Sequence, residues 1–131
     1  EGVFHNLVIV SIKKRYPGQA RKVMYALWGL GLMMLAKNIL VVSDHVDVQN
    51  LSEVAWRATG NVDAKRDIVI VDGPMDDLDH AALRHRFGGK MGIDATEKTA
   101  DDGIVQPWPD EIAMSEEIRA LVTKRWQEYG L

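Results

Sequence analysis

Three short apolar runs rich in β-branched residues stand out along the chain: Leu7–Ile12 (LVIVSI), Asn38–Ser43 (NILVVS) and residues 68–71 (IVIV). Runs of this length and composition predict strands buried on both faces. After the first run, Lys13, Lys14 and Arg15 end the strand, and Pro17 suits the first turn of a helix. Ala20, Val23, Met24, Leu27, Leu30 and Met34 follow at three- and four-residue spacing, the core stripe of a helix over residues 17–36. Tyr25, Trp28, Leu32 and Met33 make its other side apolar, so this helix is expected to be covered on more than one side. Asn50, with Glu53 three residues on, predicts a capped helix that Gly60 stops.

Strand, helix, strand, helix, strand in this order predicts parallel pairing through right-handed crossovers. The expected fold class is α/β, a three-layer domain with a mainly parallel central sheet. Beyond the third strand, Gly73-Pro74 breaks the pattern and residues 75–89 read as a loop. Residues 90–96 suggest a short fourth strand. Residues 99–109 are acidic, then proline-bearing, and read as a surface wrap. Ser115 caps a last helix with Glu116 and Glu117 in its first turn, where the helix dipole favours anions. Its stripe of Ile118, Leu121, Val122, Trp126 and Tyr129 is expected to pack on a neighbouring subunit. The domain division expected is one domain over residues 1–131, with an α/β core at 1–98 and the wrap and last helix at 99–131.

Composition narrows the function classes. The 131 residues are 47% hydrophobic and 27% charged, with a net charge of −3 and no cysteine. Disulfides, thiolate metal sites and a cysteine nucleophile are excluded. Nothing in the charge favours nucleic acid as a partner. The longest uncharged apolar stretch, residues 23–36, falls short of the roughly 20 residues that span a bilayer. The chain begins at Glu1, without methionine or a signal peptide, and is read as a piece of a longer cytoplasmic protein.

Candidate chemistry gathers after the strands, where α/β sites tend to lie. Asp44, His45 and Asp47 follow the second strand and carry metal-binding groups, although a solvated loop explains them more simply. Asp76, Asp77, Asp79 and His80 follow the third strand, expected at the same sheet edge, with Leu78 and Ala81 flanking Asp79-His80. Gly88-Gly89-Lys90 offers backbone N–H groups and a charge suited to an anion, though the full phosphate-loop pattern is absent. Leu78, Asp79, His80, Gly88 and Gly89 are therefore the candidate pocket lining, and Lys90 the candidate cofactor contact. The Asn50-Leu51-Ser52 sequon is better explained by the helix cap. No dinucleotide fingerprint, nucleophile elbow or zinc-protease motif is present.

Several segments, in order, resemble the carboxyl-terminal domain of the UbiD-type aromatic decarboxylases. They are residues 2–7 (GVFHNL), 13–18 (KKRYPG), 37–42 (KNILVV), 46–48 (VDV), 53–57 (EVAWR), 61–67 (NVDAKRD), 78–81 (LDHA), 88–96 (GGKMGIDAT) and 125–131 (RWQEYGL). The style of these motifs is closer to menaquinone-pathway relatives than to the ubiquinone enzyme. The resemblance implies a carboxy-lyase acting on an aromatic or α,β-unsaturated acid through a prenylated flavin mononucleotide (FMN), which forms a transient adduct with the substrate. It implies manganese and potassium beside the flavin phosphate. It also places the catalytic and metal-ligating residues in a preceding flavin-binding domain, leaving no catalytic or metal-ligating residue here. This chain would cover the active site and build a homo-oligomer. Two departures fall in the implied pocket region. Ala82-Leu83 replaces a common serine and proline, and Thr99 follows Lys98 where an aromatic is frequent. A catalytically degenerate assembly module and a free-standing small-ligand or phosphate-binding α/β domain are the competing expectations.

Overall fold

The computed structural model describes residues 6–130. Residues 2–5 of the first resembling segment and Leu131 of the last lie outside the described residues. Strands β1 (Leu7–Ile12), β2 (Asn38–Ser43), β3 (Ile68–Pro74) and β4 (Phe87–Asp94) form one sheet in the order β1-β2-β4-β3. β1 pairs parallel to β2, and β2 parallel to β4, with Leu40 beside Ile9 and Ile93.

β2 is buried along nearly its whole length, as its unbroken apolar run requires, and its alternate residues feed two cores. Ile39 and Val41 pack with Ala20 and Met24 of α1 (Gln19–Trp28). Leu40 and Val42 face the other way, with Val46 and with Val54 of α2 (Leu51–Gly60). Helices therefore cover both sheet faces, the three layers expected. Asn50 caps α2 by accepting the Glu53 N–H, as its spacing predicts. The approach of α1 depends on Gly92 in β4, where a Cβ would sit 2.5 Å from Met24 Sδ and 3.2 Å from Trp28. β1 is less buried than its sequence suggests, because it is an edge strand.

Two expectations are corrected. The long helix over 17–36 stops at Trp28, and Gly31–Leu35 forms a 3-10 turn instead. Gly31 turns the backbone with φ 46°, a left-handed conformation that a helix interior does not accept. Tyr25, Leu30, Leu32 and Met34 are left exposed. The second correction concerns β3, which runs antiparallel to β4, from Ile68 beside Ile93 to Pro74 beside Phe87. A parallel pair needs a crossover, usually a helix. Only the loop over residues 75–86 joins β3 to β4, so the chain reverses there. β4 also begins earlier than expected, at Phe87, so Gly88 and Gly89 are strand residues, not loop, and join Lys90 in the strand.

A short helix α3 (Ala64–Asp67) precedes β3, with Asp63 accepting the N–H groups of Lys65 and Arg66. At the far end, Ser115 caps α4 (Glu116–Lys124) by accepting the Ile118 N–H. α4 has no buried residue, and Ile118, Leu121, Trp126 and Tyr129 are all exposed.

Candidate functional site

The reversal of β3 separates the candidate residues into two sites. The loop over 75–86 leaves β3 at the amino-terminal edge of β2 and β4. Asp44 and His45 leave β2 at the carboxyl-terminal edge. The expectation that both groups share one edge is thus overturned by strand direction.

At the amino-terminal edge, two lysines hold the segment that leads into β2. Lys37 Nζ donates to Asp79, 3.0 Å from Oδ1 and 2.8 Å from Oδ2. Lys90 Nζ donates to the carbonyls of Met34 and Ala36, the latter at 3.1 Å. Asp79 and Lys90 thereby converge on residues 34–37. The hydrogen bond from Lys37 holds the Asp79 carboxyl below its ordinary value, against desolvation and helped by the Ala81 N–H. Burial pushes the Lys90 amine down. Gly88 is buried because residues 82–83 lie on it; a Cβ there would meet the Leu83 nitrogen at 3.2 Å. Gly89, Leu78 and His80 are exposed.

Beside these groups lies a cavity of about 320 Å³ with an apolar wall of Met34, Leu35, Pro74 and Met75. Asp77 and Arg86 close its rim, paired through Nη2 and Oδ2 at 2.6 Å. This pair keeps the Asp77 carboxyl below its usual range. Arg86 itself sits at φ 62°, a strained backbone for a residue with a side chain. Leu78 and Leu83 are more than four-fifths exposed on the same loop, and Leu30 and Leu32 are exposed just before Met34.

At the carboxyl-terminal edge, a second cavity of about 320 Å³ lies among Lys14, Tyr16, Ser43, Asp44 and Glu97. Lys14 is tied down by Asp102 at 2.6 Å and by the Glu97 carbonyl at 3.1 Å. His45 does not join Asp44 and Asp47. Its Nε2 lies 3.6 Å from Glu97 and 3.4 Å from Glu111, while Asp47 caps the Gln49 N–H. Arg57 also reaches Glu111 and holds that carboxyl below its ordinary value. Glu97, Arg57 and Glu111 were not singled out from the sequence, where no short spacing links them to His45.

A third polar group is structural. Lys98 is almost fully buried and donates to the carbonyls of Asp94 at 2.9 Å and Thr96 at 2.6 Å. Asp67 stands 3.8 Å away, itself held by Arg66 and the Asp63 N–H. Burial pushes the Lys98 amine down, against the pull of Asp94 and Asp67.

The family model described as the 3-octaprenyl-4-hydroxybenzoate carboxy-lyase C-terminal domain matches residues 1–95. The chain belongs to the UbiD carboxyl-terminal domain family. An uncharacterized protein of Archaeoglobus fulgidus is 51% identical over 98% of this chain, which spans 27% of that relative's length. Among solved structures, vanillic acid decarboxylase of Sedimentibacter hydroxybenzoicus in its closed form is 29% identical. The match has a TM-score of 0.72 and covers 90% of this chain and 26% of that one. The UbiD-class enzyme HmfF of Pelotomaculum thermopropionicum, in complex with FMN, is 25% identical with a TM-score of 0.75, covering 88% of this chain and 25% of that one. The part of this UbiD domain that matches the family model includes β1 to β4, the 75–86 loop and both lysines of the amino-terminal edge. Among the described residues, no helix is long and apolar enough to cross a membrane.

Proposed function

We propose that this UbiD domain covers the active site of a carboxy-lyase and builds its oligomer. The reaction would be non-oxidative decarboxylation of an aromatic hydroxy acid, in quinone biosynthesis, in the cytoplasm. The observation that carries this reading is the amino-terminal edge. There an apolar cavity and exposed Leu30, Leu32, Leu78 and Leu83 are held in shape by Lys37–Asp79 and by Lys90. Apolar surface of this kind, rimmed by charge, suits a second domain and an aromatic ligand between the two.

In this reading Leu78, Asp79, His80, Gly88 and Gly89 border the substrate pocket. Lys90 acts from beneath, as a positioning residue through Met34 and Ala36. The prenylated FMN, with manganese and potassium, belongs to the preceding flavin-binding domain and would supply the electrophile. The Gly88–Gly89–Lys90 segment does not fit a flavin phosphate by itself. Its glycines lie in the β3–β4 ladder and its ammonium is taken by two carbonyls. No step through the cofactor is therefore derived from this chain. A catalytically degenerate assembly module is the second reading, favoured by exposed Leu83 where the resembling family commonly has proline.

The test is carbon dioxide release from a panel of hydroxybenzoic acids by the full-length protein loaded with prenylated FMN. Release by the full-length protein, and none by this chain alone, is expected. A flavin-loaded protein inert across the panel would leave the assembly module, and release by the isolated chain would overturn the covering role.

A further inference from the structure

We infer that His45, Glu97 and Glu111 form a binding site for a divalent transition-metal ion at the carboxyl-terminal edge of the sheet. One ligand atom from each lies within 4.8 Å of the other two. The His45 Nε2 separations of 3.4 Å to Glu111 and 3.6 Å to Glu97 are long for hydrogen bonds. They approach the edge of a coordination tetrahedron, about 3.3 Å for ligands bound at 2.0–2.1 Å. One imidazole and two carboxylates suit zinc, cobalt, iron or manganese, and leave a coordination position open.

The set is held in advance of any ion. The Glu97 backbone is fixed on both sides, its N–H donating to Ser43 Oγ at 3.0 Å and its carbonyl accepting from Lys14. Arg57 orients the Glu111 carboxylate, as outer partners of metal-ligating carboxylates do. Two carboxylates against one guanidinium leave the cluster net negative while His45 is neutral, so a divalent cation is still attracted. Arg57 supplies the independent observation. It is 7% exposed and reaches into the cluster, yet its buried Nε has no hydrogen-bond partner among the described residues. Buried donors are seldom left so. An anion or hydroxide oxygen completing the metal's coordination would supply the missing acceptor.

The three ligands come from the β2–α2 connection, the exit of β4 and the segment before α4. A bound ion would therefore clasp the segment around Glu111, and with it the root of α4, onto the sheet. This site stands independently of the decarboxylase reading.

The experiment is equilibrium dialysis of the chelator-treated full-length protein with Zn²⁺, in the wild type and in His45→Gln and Glu97→Gln. Both side chains are partly exposed, so neither change should unfold the protein, and the unfolding midpoint without metal checks this. Each variant is expected to bind one ion fewer than the wild type, and the control Asp44→Asn the same number. Equal counts in wild type and variants, or loss of an ion in Asp44→Asn, would overturn the assignment. Hydrogen exchange on the wild type gives a second reading: Zn²⁺ should slow exchange around Glu111, and unchanged exchange there at saturating Zn²⁺ counts against the clasp.

Discussion

The ε-ammonium of Lys37 lies 2.8 Å from a carboxylate oxygen of Asp79. This contact ties the loop that reverses β3 to the residue just before β2. Asp79 is almost covered while Lys37 keeps part of its surface in water, so the pair ranks between an exposed and a buried ion pair.

Asp79→Asn is expected to cost roughly 1–2 kcal/mol at neutral pH. Because Lys37 holds the Asp79 carboxyl below its ordinary value, the pair's contribution is complete above the ordinary carboxylate pKa of about 4. It fades as pH falls through the lower folded-state value. Urea unfolding of wild type and variant should therefore show a gap at pH 7 that closes in acid. A gap that persists undiminished at pH 2 would assign the effect to packing.

Lys90→Met keeps the length of the side chain but removes the donor shared by Met34 and Ala36. The Ala36 carbonyl keeps the Trp28 Nε1 donor at 2.9 Å, so the loss falls on the Met34 carbonyl, at a cost of about 1–3 kcal/mol. The 3-10 turn over Gly31–Leu35 should also exchange its amide hydrogens faster. Wild-type stability with unchanged exchange would show that Lys90 does not brace this segment.

Gly92→Ala places a methyl group against Met24 and Trp28, both packed on the sheet. Overpacking of this kind costs about 1–3 kcal/mol. A lowered thermal midpoint with an unchanged far-ultraviolet spectrum is expected; an unchanged midpoint would mean that α1 shifts freely.

Removal of residues 115–131 should abolish self-association. α4 carries Ile118 and Leu121 exposed, with Trp126 and Tyr129 exposed just beyond it, and burying a large side chain is worth roughly 1.5–3 kcal/mol. Light scattering should find an oligomer for the whole chain and a monomer for the shortened one. A whole chain that stays monomeric at high concentration would refute the subunit contact.

Much of the local structure was legible in the residues. β2 occupies the run Asn38–Ser43, and Asn50 and Ser115 cap the helices their spacing implied. These features depend on near neighbours in sequence: alternation, helical spacing and one side-chain acceptor. The 3-10 turn was missed because apolar spacing continued through Gly29 and Gly31, and the backbone turn outweighed it.

The candidate sites were legible only in part. Asp79 was marked as a polar group in apolar surroundings and Lys90 as an anion contact, but their common anchor, residues 34–37, is set by long-range contacts. The direction of β3 depends on which strand it joins and on what connects them, and an apolar run has no direction. That single choice placed the 75–86 loop at the opposite edge from His45. Glu97 and Glu111 reach His45, and Arg57 reaches Glu111, from distant parts of the chain, and Lys98 is buried beside Asp67 of α3. The sequence by itself determined the runs that become β1, β2 and β3 and the caps of α2 and α4, because those are short-range energies. Tertiary structure alone decided the direction of β3 and the charge partners, because both arise only when distant segments are brought together.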